Sequence, residues 1–197
     1  MTLPTEPGSL PKLRAVLVDR DGVLNENVET YVRTVGELKV FPGVGKALAL
    51  LRRAGFRVFV ITNQAGIGKG LISTATLDAI HARLERELSR EGGKIGGFYV
   101  CPHKPDEGCE CRKPKPGLLL RAQREWGFDL AETYFVGDAV RDVEAARAAG
   151  CRPVLVKTGI LRADEALPAG VVVFENLPAC AAALVRGPVP PASAPGR

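Results

Sequence analysis

The chain has 197 residues, 46% of them hydrophobic and 25% charged, so it can form one well-packed core but is too short for two ordinary domains. No stretch approaches the roughly 20 apolar residues of a membrane-spanning helix, which argues against a membrane protein. The net charge of +5 allows an anionic partner but is too small to indicate nucleic acid.

Short apolar runs rich in β-branched residues alternate with longer segments of helical period. We predict strands at 15–18, 58–61, 98–100, 134–136, 154–156 and 171–174. Between and after them we predict helices at 43–54, 116–126, 140–149 and 177–186, and another that Ser73 caps and Gly92-Gly93 ends. Continuous hydrophobicity in the strands favours burial on both faces of a parallel sheet. The alternation predicts a three-layer, doubly wound α/β fold with a mostly parallel, Rossmann-like sheet.

We expect a single domain over residues 14–186, flanked by disordered proline-rich tails at 1–13 and 187–197. The first residues show neither the basic start nor the apolar core of a secretory signal. We therefore expect a cytoplasmic protein whose thiols stay reduced.

Polar residues follow several of the predicted strands. Asp19 and Asp21 come after the first strand, Thr62 after the second and Asp138 after the fourth. Ligands of open α/β sheets bind beyond the carboxyl ends of the strands, so we expect these side chains to converge. Clustered carboxylates repel one another without a cation, and oxygen donors suit Mg²⁺. Alternatively, Asp19 and Asp138 only cap a turn and a helix.

The glycine-rich segment 65–70 is better interpreted as an active-site loop than as a nucleotide-binding motif. Asn63 and Gly70 stand where a phosphate-binding Walker loop needs Gly and Ser or Thr. The dinucleotide fingerprint fails as well, because its third glycine would fall on Leu71.

Residues 16–23 resemble the first signature of the haloacid dehalogenase superfamily of aspartate-nucleophile phosphotransferases. Thr62, Lys113 and the acidic segment 137–142 are similar to the superfamily's other signatures and follow in the same order. The resemblance implies a magnesium-dependent phosphatase of the haloacid dehalogenase type.

The resemblance also implies roles for individual residues. Asp19 is the expected nucleophile and Asp21 the expected general acid and base. Thr62 and Lys113 are expected to hold the phosphoryl oxygens. Magnesium is expected to bind Asp19, the backbone carbonyl of Asp21, and Asp138.

Three of the five cysteines lie with a histidine in eleven residues, as Cys101, His103, Cys109 and Cys111. An odd number of cysteines in a cytoplasmic chain favours a metal over a disulfide framework. Three thiols and one imidazole complete a tetrahedral zinc site with no open position, so the zinc is expected to be structural. Loop 101–111 resembles the zinc loop of the histidinol-phosphate and heptose-bisphosphate phosphatases. A zinc knuckle for nucleic acid is disfavoured because the loop lacks aromatic residues.

Within that family the motifs are most similar to the heptose-bisphosphate branch, which implies removal of the C7 phosphate of D-glycero-D-manno-heptose 1,7-bisphosphate. Histidinol phosphate is the alternative substrate, because the five-residue spacing between His103 and Cys109 also occurs in that branch, and another small sugar phosphate is a further alternative. We expect Asn25, Asn63 and Arg112 to bind substrate. The expected protein is a capless monomer that acts on a small phosphorylated metabolite, without nucleic acid or membrane partners. The alternative outside the enzymes is a protein that binds a ligand without catalysing a reaction.

Overall fold

The computed structural model describes residues 12–28, 31–160 and 167–190. Its six strands are β1 (Arg14–Val18), β2 (Phe56–Asn63), β3 (Gly97–Cys101), β4 (Tyr134–Gly137), β5 (Arg152–Val156) and β6 (Val172–Phe174). They form one sheet in the order β3-β2-β1-β4-β5-β6, and every ladder in it is parallel. All six predicted strands and the parallel sheet are confirmed.

Helices cover both faces of this sheet. They are α1 (Val44–Arg53), α2 (Ala65–Gly68), α3 (Thr74–Arg90), α4 (Gly117–Trp126), α5 (Val140–Ala149) and α6 (Leu177–Leu184), with short 3₁₀ helices at Val35–Glu37 and Leu130–Glu132. Helices α1, α3 and α6 bury their apolar residues in one hydrophobic cluster, and α4 and α5 in a second. The chain therefore has the three layers that the sequence predicts.

Strand β1 shows why the sequences of the strands are continuously hydrophobic. Val16 and Val18 belong to the cluster on the α1 face, while Ala15 and Leu17 belong to the cluster on the α4 face. All four are at most 2% exposed. Because both faces of a central parallel strand are covered by helices, neither can carry the polar residues of an alternating pattern.

Helix boundaries agree closely with the expected ones. Ser73 accepts a hydrogen bond from the Thr76 backbone N–H at 3.0 Å, which confirms it as the N-cap of α3. The segment predicted as a loop after β2 instead contains α2, a single helical turn. Its two glycines hide the helical signal, and Gly68 donates its N–H to the Pro102 carbonyl at 2.9 Å.

Described residues on either side of 14–186 also pack against the core. Leu13 packs against the α4-face cluster, and Val189 packs against the α1-face cluster and donates its N–H to the Tyr134 hydroxyl at 2.9 Å. Residues 1–11 and 191–197 of the predicted tails lie outside the described residues. None of the described helices combines the length and the apolar character needed to cross a bilayer.

The strand order places a crevice at the centre of the sheet. After β1 the chain continues to α1 on one face, and after β4 it continues to α5 on the other. The two connections diverge above the carboxyl ends of β1 and β4, which is where ligands bind in such sheets.

Candidate active site

Asp19 lies in this crevice, one residue beyond β1. Its backbone N–H continues the pairing with β4 by donating to the Val136 carbonyl at 2.9 Å. Its Oδ1 accepts the Arg20 backbone N–H at 2.7 Å, and its Oδ2 lies 2.7 Å from Lys113 Nζ. The carboxylate, only 4% exposed, borders a cavity of about 280 Å³. The lining of that cavity also includes Asp21, Thr62, Asn63, Arg112 and Arg141.

Lys113 is a buried ammonium held between two carboxylates. Its Nζ is 2.7 Å from Asp19 Oδ2 and 2.8 Å from Asp142 Oδ1, and it donates to the Ile61 carbonyl at 3.0 Å. Burial alone would lower the pKa of Lys113, but Asp142 and Asp19 outweigh it and the pKa is raised. The lysine is therefore positively charged beside the candidate nucleophile.

The Asn63 amide fixes the backbone of Lys113. Asn63 Oδ1 accepts the Lys113 N–H and Asn63 Nδ2 donates to the Lys113 carbonyl, both at 3.1 Å. This two-point contact joins the end of β2 to the end of the cysteine loop. Asn63, which is expected to bind substrate, borders the cavity, but the oxygen and nitrogen of its amide are both engaged by Lys113.

Asp138 follows β4 and is packed between two glycines. A Cβ on Gly22, whose φ is +82°, would lie 2.2 Å from Asp138 Oδ2, and a Cβ on Gly159 would lie 1.9 Å from the same oxygen. Both positions therefore require glycine. Oδ2 accepts the Ile160 N–H at 2.9 Å, whereas Oδ1 is buried and has no hydrogen-bond partner.

The carboxylates at this point fit a divalent cation. Oxygens of Asp19, Asp138 and Asp142 lie within 4.8 Å of one another. Burial raises the pKa of Asp19 to about 7 despite Lys113, and burial together with Asp142 raises that of Asp138 to about 6. The unpartnered Oδ1 of Asp138 and this shortage of positive charge both suit Mg²⁺.

Asp142 makes different contacts from Asp138, although both are acidic and buried. Its Oδ2 accepts the backbone N–H groups of Asp138 and Ala139, at 3.2 and 3.1 Å. Its Oδ1 pairs with Lys113. Asp142 therefore orders the start of α5 and holds the lysine, which leaves Asp19 and Asp138 as the side chains free to bind a metal.

The carboxylate of Asp21 is surrounded by donors. Arg20 Nη2 donates to both of its oxygens, at 2.8 and 2.9 Å, and Asn25 Nδ2 and Gln64 Nε2 each donate at 2.9 Å. Burial raises the pKa of Asp21, but Arg20 and these hydrogen bonds outweigh it and the pKa is lowered. With its carboxylate held in this way, Asp21 could contribute only its backbone oxygen to a metal.

The structure places Asn25 differently from the prediction. It is expected to bind substrate, but it is fully buried and does not border the cavity. Its Nδ2 bridges Asp21 Oδ1 and the Glu26 carbonyl, the latter at 2.8 Å. Because its backbone pairs with Asp21 on one side and Val40 on the other, the side chain turns inward and positions Asp21.

The four predicted zinc ligands come together after β3. Cys101 Sγ lies 3.6 Å from His103 Nδ1 and 3.7 Å from Cys109 Sγ, and Cys111 Sγ lies 3.2 Å from His103 Nδ1 and 3.5 Å from Cys109 Sγ. Zn–S bonds of about 2.3 Å and a Zn–N bond of about 2.0 Å give tetrahedral edges of about 3.5 to 3.8 Å. The cluster has the size and chemistry of a zinc site, and all five cysteines are free thiols. Burial and the neighbouring thiols raise the pKa of Cys111 to about 12.

Basic and aromatic side chains also line the cavity. Arg112 and Arg141 border it, and Arg112 Nη1 donates to the His103 carbonyl at 3.3 Å, which ties this arginine to the cysteine loop. Tyr31 also borders the cavity and has a φ of +74°, which is rare for a bulky residue. Lys69 Nζ lies 5.3 Å from the centre of its ring.

Comparison with known proteins agrees with this geometry. The HAD-hydrolase-like family matches residues 110–180. The D-glycero-beta-D-manno-heptose-1,7-bisphosphate 7-phosphatase of Pseudomonas aeruginosa is 45% identical over 173 residues, which cover 87% of this chain and 97% of that relative. The chain belongs to the heptose-bisphosphate phosphatases of the HAD-like hydrolases. This confirms the family and the fold class that the motifs predict.

Two solved structures of this phosphatase family support the assignment. The D,D-heptose 1,7-bisphosphate phosphatase from B. bronchiseptica, complexed with magnesium and phosphate, has a TM-score of 0.85 at 42% identity and covers 88% of this chain and 99% of its own. The enzyme from Burkholderia thailandensis has a TM-score of 0.67 at 35% identity and covers 87% of this chain and 98% of its own.

Several residues that build the site have no assigned role in the sequence prediction. Asp142 is visible there only as a second acid four residues after Asp138, and Gln64, which donates to Asp21 and to Thr62 Oγ1, follows Thr62 by two positions. His81 is buried as well, at 6% exposure. These roles depend on contacts between distant segments, which local sequence patterns do not contain.

Proposed function

We propose that the protein is a magnesium-dependent phosphatase that removes the C7 phosphate of D-glycero-D-manno-heptose 1,7-bisphosphate through an aspartyl phosphate on Asp19. One observation carries the proposal: a buried aspartate that borders a 280 Å³ cavity pairs with a charged lysine and lies close to a second carboxylate, one oxygen of which has no hydrogen-bond partner. The relatives' names and the magnesium and phosphate bound to one of them support the substrate and the ion.

In the first step, Asp19 Oδ2 attacks phosphorus and the bond from phosphorus to the sugar oxygen breaks. Lys113 neutralises part of the phosphoryl charge. The Thr62 hydroxyl already accepts a hydrogen bond from Gln64 Nε2 at 2.8 Å, so its own proton is free to donate to a phosphoryl oxygen. A magnesium ion, when bound to Asp19, Asp138 and the Asp21 backbone carbonyl, supplies further neutralisation of the phosphoryl group.

Asp21 transfers the protons. It gives a proton to the departing sugar oxygen and later takes one from the water that hydrolyses the aspartyl phosphate, which releases inorganic phosphate and restores Asp19. The first of these steps requires a protonated Asp21, whereas Arg20, Asn25 and Gln64 lower its pKa. We infer that the negative charge of the incoming phosphate raises this pKa, because a nearby like charge disfavours the ionised form.

The cavity favours a bisphosphate over histidinol phosphate. Among the described residues that border it, the charged side chains away from Asp19 and Asp21 are the cations Arg112 and Arg141, and Arg141 Nε is buried with no hydrogen-bond partner. A second phosphate can accept charge-assisted hydrogen bonds from such groups. The ammonium group of histidinol phosphate would meet the same positive charges.

The decisive experiment measures kcat/KM on the two phosphates side by side at saturating magnesium. We expect the heptose bisphosphate to be favoured by more than about tenfold, since one charge-assisted hydrogen bond contributes about 1.5 to 3 kcal/mol. Faster hydrolysis of histidinol phosphate would overturn the substrate assignment. Activity that survives Asp19→Asn would overturn the mechanism, whereas a wild-type protein without phosphatase activity would favour a binding module.

We also propose that Cys101, His103, Cys109 and Cys111 hold a structural zinc ion and that the protein works as a cytoplasmic monomer. The tetrahedral spacing of the four ligand atoms supports the zinc. Size-exclusion chromatography with light scattering tests the monomer, which a dimer mass would contradict.

A further inference from the structure

Arg20, the residue between the two motif aspartates, is completely buried and enters the mechanism above only through the pKa of Asp21. A buried guanidinium must be paired, and Asp21 is its partner. Arg20 Nη2 contacts both Asp21 oxygens, and Nε contacts Oδ1 at 3.1 Å. Within the described part of the chain, Arg20 forms no other ion pair.

The remaining end of this guanidinium faces His81 on α3. Arg20 Nη1 lies 3.4 Å from His81 Nε2, and the imidazole stacks on Phe98 of β3 with ring centres 4.0 Å apart and planes at 9°. Burial, followed by the charge of Arg20, lowers the pKa of His81 to about 3. The ring is therefore neutral, and its Nε2 can accept the hydrogen bond from Arg20.

We propose that His81 is a positioning residue for the general acid and base Asp21. It acts through Arg20, whose guanidinium contacts Asp21 on one side and His81 on the other. An arginine side chain has several rotatable bonds, so contacts at one end leave its plane free to turn. Hydrogen-bond acceptors on both sides of the guanidinium, the Asp21 carboxylate and the His81 imidazole, fix that plane. The Phe98 ring holds the imidazole in turn, so the core of the sheet determines how the carboxylate points.

This inference rests on the proposed function, because it assigns His81 an effect on proton transfer to the leaving group. That effect depends on the leaving group. Phenoxide needs a proton more than p-nitrophenoxide does, so a misplaced general acid slows phenyl phosphate more than p-nitrophenyl phosphate. A general loss of folded enzyme would slow both substrates equally.

The test compares His81→Leu, which removes the acceptor, with His81→Gln, whose amide oxygen can replace it. For His81→Leu we expect kcat/KM to fall about tenfold on phenyl phosphate and less than about twofold on p-nitrophenyl phosphate. His81→Gln should recover most of the loss on phenyl phosphate. Leu84→Ala is the matched control: it removes a fully buried side chain from the same helix, so it should lower Tm and leave the ratio of the two activities unchanged.

An equal fall on both substrates, or an unchanged ratio in His81→Leu, would overturn the proposal, as would a His81→Gln variant no better than His81→Leu. The proposed function is tested separately with Asp19→Asn in an otherwise unaltered chain. If that variant still hydrolyses the aryl phosphates, the proposed nucleophile is wrong. If it does not, the leaving-group ratio decides the role of His81.

Discussion

Replacing Gly159 by alanine should disable the site although the glycine carries no functional group. The new Cβ would lie 1.9 Å from Asp138 Oδ2, whereas ordinary contact begins at 3.4 Å. The carboxylate would have to move by about 1.5 Å, and displacements near 1 Å can cost about 10²-fold in rate. It cannot retreat toward Gly22, because that residue also lies against it.

Steady-state phosphatase assays over a magnesium titration test this. We expect kcat/KM to fall about 100-fold and the half-activating magnesium concentration to rise by about tenfold or more, because Asp138 is the proposed metal ligand. Gly36→Ala is the matched control, since its Cβ would meet nothing closer than Thr34 Oγ1 at 3.8 Å. Activity of Gly159→Ala within about threefold of wild type would refute the steric reasoning.

Three other perturbations have defined outcomes. Asp142→Asn leaves Lys113 with one carboxylate fewer and should lower the free energy of unfolding by about 3 kcal/mol in urea titrations; a change below about 0.5 kcal/mol would contradict this. His81 has a folded pKa of about 3, below its ordinary 6.5, so its contribution to stability is complete above pH 6.5 and is lost as the pH falls toward 3. Between pH 7 and 5 the wild-type protein should lose about 2 kcal/mol of unfolding free energy through His81. The His81→Gln variant should be spared this loss, and an equal pH dependence of the unfolding free energy in both proteins would contradict the prediction. Cys109→Ser should lose the stoichiometric zinc that elemental analysis finds in the wild type, and its Tm should be lower. A wild-type protein that contains no zinc, or a variant whose Tm equals that of the wild type, would contradict this.

Predicting the fold from the sequence works well here because the sheet is central and parallel. A strand covered on both sides needs apolar residues throughout, and runs such as 58–61 are visible without any knowledge of their neighbours. The positions of Asp19, Thr62 and Asp138 follow from the same rule, since each lies at or just after the carboxyl end of such a strand. Local sequence thus predicts both the sheet and the edge of it where the candidate site lies.

Side chains that act on one another across the fold are harder to predict. Asn25 has the polarity of a substrate-binding residue, and only its pairing with Val40 turns it inward. His81 directly follows Ile80, a fully buried residue of α3, and therefore lies at the margin of the helix face that packs on the core. It becomes buried because Phe98 and Arg20, from other segments, close over it. Helical period shows which side of a helix faces the core, but not which residues close over its margin.

The double contact between Asn63 and Lys113 has an evolutionary consequence. The segment from Cys101 to Lys113 is held along its length by the cluster of Cys101, His103, Cys109 and Cys111 and at its end by this amide. Residues 104–108 lie between His103 and Cys109 and are largely exposed to solvent. We expect insertions there to be tolerated without displacing the lysine. This loop can therefore change in length while the reaction centre stays the same.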